Sequence, residues 1–562
     1  MVDIVADIAT LRTTEPATAQ QLDYVTKYAS GSSAGGGFFQ YDSSDSTSND
    51  DGGSIIITTS GKRWKRKSKQ LIPAHFGCDP AGVIDCTSKF KNYISASVGR
   101  PVDIRGGSWL ISDTIDFSRC TQIIADSKSK IIVDVINFSG EDGSYAVTIG
   151  TPGASGSGRV AGFGIKGFLL IQSNSRIRQI HGIYLKGSWL NIDHVRSTGF
   201  NGYCINCDSV WDSTIIRLSA EIGGSTSYAQ IRIDSDGDTT NASHIISLQS
   251  EQAYHRALEV NVLRTVIDNI HAERTYNLQD NTSTTGWNVY LNLGNSSINN
   301  TTMDCNNSVI TAPDGTPIFN QNHRLSLSLD YSSIIDMNAG NVSHMFGRSG
   351  KVSRLYCNKY GENANSDTVD TQVDLLSCSG QVTLGNKTSI TRLVADILDF
   401  GYNSSAVTVL SGTVNTVLQS NNILGDIVLS GLFITNGLTS LKSQVAGYSP
   451  TVFKDCHMAS LVGSAGGSIK IIGGYVASAN LVSYAKVEME GVKGTTFNYT
   501  GTPVFVTRGC RFDTVTAWSS PQGAWPVGTV TERMGIINSG DGVIFRSNNA
   551  TSASWITLLS AP

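Results

Sequence analysis

From Pro73 onwards, apolar residues recur in short alternating runs separated by Gly, Ser, Asn and Asp. Alternation with turn residues between the runs predicts strands, and helical periodicity nearly disappears. One template repeats: an aliphatic residue, a second three positions on, and a small or soft residue two beyond that. Ile192, Val195 and Ser197 lead to Thr198, and Ile215, Leu218 and Ala220 lead to Glu221. Ile245, Leu248 and Ser250 lead to Glu251, and Ile267, Ile270 and Ala272 lead to Glu273. Ile298, Thr301 and Met303 lead to Asp304; Val352, Leu355 and Cys357 lead to Asn358; Ile390, Leu393 and Ala395 lead to Asp396. Towards the C-terminus a shorter version places Cys456, Gly473, Gly491 and Gly509 after β-branched runs, 17, 18 and 18 apart.

A unit of about 18–23 residues built from short strands is one coil of a solenoid. The intervals through Asp304 are 23, 30, 22 and 31, so the long coils carry insertions. Asp234–Thr240 and Asn277–Thr285 are the expected inserted tips. A propeller needs a repeat of about 40 residues. A sandwich would not hold a fixed register over so many coils. The expected fold class is therefore all-β, a parallel solenoid with the aliphatics inside and the sixth-offset residue at the outer end of a strand.

The chain divides by composition. Residues 1–72 form a small N-terminal module, with an amphipathic helix expected over 13–29 and loop over 30–53. The short apolar run Ile55–Ile57 follows, and residues 61–70 form a basic patch around Trp64, read as a solvated surface or docking contact. Residues 73–134 lead into the solenoid of 135–515. Residues 516–562 leave the pattern, with Trp518, Pro521, Trp525, Pro526 and an apolar run at Trp555–Leu559. A solenoid needs its open end covered, so this segment is expected to be a C-terminal cap.

The chain has 562 residues, Lys+Arg 42 against Asp+Glu 46, and a formal net charge of -4. That balance argues against a dedicated nucleic-acid binder. Apolar content of 40% argues against a disordered chain. No stretch of 18 apolar residues would span a bilayer, and no signal peptide is expected at the N-terminus. Cys204 and Cys207 form a C-x-x-C without a second pair, and the ten Cys read as buried thiols. No cofactor is expected.

Residues 76–116 sharpen the fold. They run Phe76-Gly77, Gly82-Val83-Ile84-Asp85-Cys86-Thr87, a helix near Ser88–Ser97, Val102 and Ile104, Gly107-Ser108-Trp109, and Ser112-Asp113-Thr114-Ile115. This order resembles the entry motif of the pectate-lyase-like right-handed parallel β-helix. The GGGFFQYD, DDGG and GKRWKR segments ahead of it resemble the N-terminal module of phage tailspike capsule depolymerases. The resemblance covers about the first 120 residues. It implies a right-handed parallel β-helix in a homotrimer on the virion, acting at the bacterial cell surface. It also implies cleavage of a bacterial capsular or exopolysaccharide. The N-terminus would attach to the phage tail or to another tailspike, and the C-terminal cap would be the trimer tip. The family has no single catalytic motif, so it assigns no residue.

The coils supply the candidates. Stacked coils place equivalent residues about 4.8 Å apart. The sixth-offset column then reads Thr198, Glu221, Glu251, Glu273, Asp304, with four consecutive carboxylates. Like charges at that spacing repel, which should raise a pKa in the row and keep an acid protonated. Paired carboxylates about 5–5.5 Å apart suit a retaining glycosidase, and about 6.5–9.5 Å an inverting one. Glu221, Glu251, Glu273 and Asp304 are the expected catalytic residues of an endo-acting glycoside hydrolase. The plainer reading makes the column a solvated strand end, where Thr198, Asn358 and Asp396 also fall. Substrate contacts are expected from Arg196, His271, Arg274, Tyr254, Tyr276, Trp211 and Trp287, since sugars stack on aromatic faces and bond charged side chains. The histidines share no ligand spacing, so no metal is expected. A lyase acting on a uronate would use His271 or a Tyr as base and Arg196 or Arg274 as clamp. A non-catalytic trimeric glycan-binding adhesin is the third reading.

Overall fold

The computed structural model describes residues 2–544 apart from 154–156, 226, 235–238, 255, 274–288, 305–309, 312–316, 319–323, 340, 358, 362–367, 401–405, 420–424, 442–449, 464–467, 482–485, 500–503, 509, 516–534 and 540. The chain divides into two compact units, Met1–His323 and Arg324–Pro562.

The first unit opens with a five-stranded sheet of Val2–Val5, Leu22–Lys27, Gly35–Tyr41, Ile55–Ile57 and Arg63–Arg66. The helix expected over 13–29 is not formed. A shorter helix, Ile8–Thr13, precedes it, capped by the Asp7 carboxylate accepting the Thr10 N–H at 2.8 Å. Leu22–Lys27 is instead a strand, paired to Val2–Val5 on one side and antiparallel to Gly35–Tyr41 on the other. The expected loop over 30–53 contains that third strand. Glycine permits it: a Cβ on Gly36 would lie 2.5 Å from the Thr26 carbonyl oxygen. The basic patch also differs from expectation, because its strand alternates. Trp64 is fully buried with Val5, Ile8, Leu11, Val25, Phe39 and Ile56, and Arg66 turns inward to bond the Gly53, Gly36 and Gly35 carbonyls.

The helix expected near 88–97 spans Thr87–Ala96. It buries Phe90 and Tyr93, with the Phe90 ring 6.4 Å from Trp109 and 6.2 Å from Phe117. From there a parallel β-helix is built. Val102, Ile123, Ile165, Ile192, Ile215, Ile245, Ile267 and Ile298 are register partners in turn on successive parallel strands. All eight are buried, which makes a continuous interior stack. Burial of each contributes about 1.5–3 kcal/mol, so the aliphatic template holds the register. Right-handed crossovers are the rule for such parallel connections, and the fold class is the right-handed parallel β-helix expected from the sequence.

Each coil uses two strand tracks. The first contains Asn191–Thr198, Thr214–Gly223, His244–Ala253, Val266–Glu273 and Ser297–Asp304. The second contains His181–Ser188, Ile205–Trp211, Ile231–Ile233, Leu258–Leu263 and Val289–Gly294. The corner between them uses left-handed residues at Trp189, Asp212, Ala242, Arg264 and Asn295, with φ between 44° and 56°. Such backbone costs about 1–2 kcal/mol per non-glycine residue. A hydroxyl ladder offsets it: Ser213, Ser243 and Ser296 accept the N–H of Leu190, Ser213 and Thr265. Cys204 and Cys207 are buried, and burial pushes their thiols up to about 11 and about 12.

The second unit repeats the pattern. Ile334, Val352, Val373 and Ile390 form one buried register stack, and Met337, Leu355, Leu376 and Leu393 another. In its later coils His457, Tyr475, Lys493 and Arg511 are successive partners, a period of 18 throughout. The residue equivalent to Cys456 is therefore Gly474, one place after the Gly473 expected from the sequence. Of the C-terminal segment, the strands Gly535–Ser539 and Asp541–Ile544 pair antiparallel. Trp518, Pro521, Trp525, Pro526 and Trp555–Leu559 lie outside the described residues.

Candidate functional site

The sixth-offset residues fall in one column. Thr198 partners Glu221, Glu221 partners Glu251, Glu251 partners Glu273, and Glu273 partners Asp304 on adjacent parallel strands. The chain turns directly after this column. Gly199, Ile222 and Gln252, each following a column residue, have φ of 83°, 50° and 51°. The carboxylates therefore stand at a corner, where a side chain is held by the coil yet reaches solvent. Glu221 and Glu273 are half-buried, with side chains 27% and 25% exposed. For Asp304 only the backbone position is described.

A second outward column lies two residues before the first. It contains Arg196, Ser219, Gln249, His271 and Thr302 in register. Arg196, Gln249 and His271 bond the carboxylates. The Arg196 guanidinium bridges to Glu221 on the next coil, and the Gln249 amide donates to Glu251. His271 Nε2 lies 3.3 Å from Glu273 Oε2. One donor atom from each of Glu251, His271 and Glu273 lies within 4.8 Å of the others, a set of the kind that accepts a divalent cation, whereas the histidine spacing leads to the expectation of no metal. Gln249 was legible in principle, because it holds the same template offset as Arg196 and His271.

His194 also borders the row. Its Nε2 is 3.0 Å from Ser219 Oγ, and its ring meets Phe168 edge-on at 4.6 Å. Burial, with the cations Arg217 and Arg196 nearby, pushes its pKa down to about 4. At the other end of the same strands His244 Nε2 lies 2.7 Å from Asp268, whose second oxygen accepts from Asn299.

The aromatic candidates are placed differently. Tyr254 is buried under the Arg176 guanidinium, 3.7 Å from its ring centroid. Arg176 also donates to the Phe200, Ile222 and Gly224 carbonyls, so this pair staples corners of successive coils. Trp211 is on the second track, with Arg159 3.5 Å over its ring and its Nε1 donating to the Thr239 carbonyl at 3.0 Å. Both rings are engaged in packing. Arg274, Tyr276 and Trp287 lie outside the described residues.

Comparison with known proteins adds the following. No curated protein matches the sequence. Tailspike protein 2 of Escherichia coli O157:H7 bacteriophage CAB120 is similar at 11% identity and TM-score 0.31, over 97% of this chain and 54% of that one. Tailspike gp49 of Acinetobacter baumannii bacteriophage Fri1, a capsular polysaccharide depolymerase, is similar at 13% identity and TM-score 0.29, over 92% and 76%. WceF of Pantoea stewartii, a glycan biofilm modifying enzyme with a bacteriophage tailspike-like parallel β-helix fold, is similar at 10% identity and TM-score 0.21, over 96% and 55%. The chain thus spans about half the length of the first and third. Residues 4–69, ahead of the parallel β-helix, match the family model of the phage tail protein small four-stranded beta-sheet domain.

Proposed function

We propose that this chain is a tailspike depolymerase that hydrolyses a bacterial capsular or exopolysaccharide at the Glu221–Glu251–Glu273 row. One observation carries the reading: three glutamates are register partners at a solvent-reaching corner, each with a polar neighbour from the adjacent column. Glycoside hydrolysis needs one carboxyl to protonate the leaving oxygen and a second to attack the anomeric carbon or activate water. Adjacent coils supply both from one short groove. The oxygens of Glu251 and Glu273 approach within 4.8 Å, near the about 5–5.5 Å of a retaining pair. Double displacement then places Glu251 as acid/base and Glu273 as nucleophile, with Asp304 extending the row. Arg196 fits a positioning role, because its guanidinium is already engaged by Glu221. That engagement also makes it a poor free clamp for a uronate.

The phage tail domain match over residues 4–69 supports attachment to the phage tail or to another tailspike, and in this reading the protein sits on the virion and its groove acts at the cell surface. A homotrimer is the assembly this reading expects. The test is product analysis from a panel of purified capsular polysaccharides. New reducing ends without ultraviolet absorbance support hydrolysis. An unsaturated uronate absorbance would assign a lyase, and binding without any product would assign an adhesin.

A further inference from the structure

The second strand track carries a polar cluster that the carboxylate row does not use. Its outward residues Tyr184, Asn206, Arg232, Glu259 and Tyr290 are register partners in turn. The first two are buried, and the face opens from Arg232 onwards, where Glu259, Asn261, Tyr290 and Asn292 are half-buried. Arg232 reaches Asp234 at 3.2 Å and Glu259 at 3.9 Å. Asn261 donates to Asp234 at 2.8 Å, and Asn292 donates to Asn261 at 3.0 Å. The amides and carboxylates thus form a ladder along the solenoid axis. Beside it the Tyr203 and Tyr228 rings meet edge-on at 4.9 Å, with Arg232 5.7 Å from the Tyr203 centroid.

We propose that this face is a second glycan-binding surface, distinct from the carboxylate row, taking a neutral or amino-sugar stretch of the polysaccharide without cutting it. The proposal rests on the reading that the chain binds a bacterial polysaccharide. The chemistry selects the ligand class. Arg232, Asp234 and Glu259 sum to one negative charge, which disfavours a polyanion and suits hydroxyl and ammonium donors. Carboxylate and amide oxygens accept from sugar hydroxyls, and a tyrosine ring offers an apolar face to a pyranose. A ladder repeating at the coil spacing of about 4.8 Å offers the same contacts to successive parts of an extended chain. Binding there would hold a long polymer while the row acts on it.

The experiment uses the full chain and an immobilised panel of purified capsular polysaccharides, with retention and product release measured separately. Glu259→Gln and Asn292→Ala are the variants, because both sit at the open end and neither leaves Lys or Arg stranded. Each should weaken retention by about tenfold, the scale of one lost hydrogen bond. Product release at saturating polysaccharide should stay within about twofold of wild type, since the row is untouched. The proposal is overturned by unchanged retention in variants that melt like wild type. It is overturned equally if saturated turnover collapses, which would make this face catalytic, or if the wild type retains no panel member. Product release with unchanged retention removes this face and leaves the hydrolase reading standing; a wild type that neither retains nor cleaves any panel member removes both.

Discussion

Glu251 lies beside Glu273 as its direct partner on adjacent parallel strands, with oxygens of the two carboxylates within 4.8 Å of one another. Two like charges at a strand pair disfavour the sheet. Glu221 extends the row and has Arg196 as an ion-pair partner. An arrangement that costs folding energy and sits at an accessible corner points to use.

Replacing Glu221, Glu251 or Glu273 singly with Gln should therefore leave the melting temperature unchanged or slightly raised for Glu251 and Glu273. Glu221→Gln should lower it slightly, because it removes the Arg196 partner. At least one variant should lose about 10² or more in turnover, the usual scale for a positioned acid or base. Glu251 is the first choice, being the one member of the row with a glutamate on both neighbouring coils. Reducing-end release per trimer equivalent and thermal unfolding measure the two effects. Wild-type turnover in all three variants would make the row a solvated strand end.

The interior stack separates two adjacent isoleucines. Ile245 is fully buried between Ile215 and Ile267, whereas Ile246 points outward and is 37% exposed. Ile245→Ala should cost about 2–5 kcal/mol through lost burial and the cavity left behind. Ile246→Ala should stay within about 0.5 kcal/mol. Guanidinium unfolding midpoints compare them directly. Equal midpoints would contradict the register.

The reason that stack was legible is physical. A parallel solenoid repeats the same interior environment in each coil, so aliphatic spacing encodes register, and the carboxylate column followed from it. The second track was not legible. Ile231–Ile233 is short and an insertion follows Asp234, so Arg232 and Glu259 share no obvious sequence offset. The N-terminal module failed for another reason. The amphipathic spacing over 13–29 hid the strand-forming Tyr24, Val25 and Thr26, and pairing with both Val2–Val5 and the glycine-led Gly35–Tyr41 makes Leu22–Lys27 a strand. Tyr254, expected to contact substrate, is buried, because the long-range Arg176 clamp is invisible locally.

The second track also contains a buried ion pair. Lys186 and Asp208 have side chains 3% and 9% exposed and lie 3.5 Å apart, with the Tyr184 hydroxyl also donating to Asp208. Asp208→Ala takes the carboxylate away from a buried ammonium and should cost about 3–5 kcal/mol. Lys186→Met combined with Asp208→Leu should recover most of that loss, because the pair's own net contribution is small. Chemical unfolding of the single and double variants measures this. A double variant as unstable as Asp208→Ala would show that packing, and not the broken ion pair, sets the cost.

Stability should also fall with acid in a way that one histidine reports. His181 is buried among Tyr145, Tyr203 and Tyr228, at centroid distances of 4.7, 5.0 and 4.8 Å. Its Nδ1 accepts the Tyr203 backbone N–H at 2.9 Å, which fixes a neutral ring with the proton on Nε2. Burial pushes its pKa down to about 4, against about 6.5 in an unfolded chain. Between those values the unfolded state binds the extra proton, so acid favours unfolding. The contribution is fully present above about pH 6.5 and is lost as pH falls towards 4, at about 1.4 kcal/mol per unit. His75 and His194, each also pushed down to about 4, act in the same direction. The difference between wild type and His181→Gln isolates the one ring, since the other two titrate alike in both. That difference in unfolding free energy should be largest near pH 7 and shrink steadily towards pH 4.5. A difference constant across the window would mean that His181 titrates alike in the folded and unfolded chain, and that its ring is not held neutral by burial.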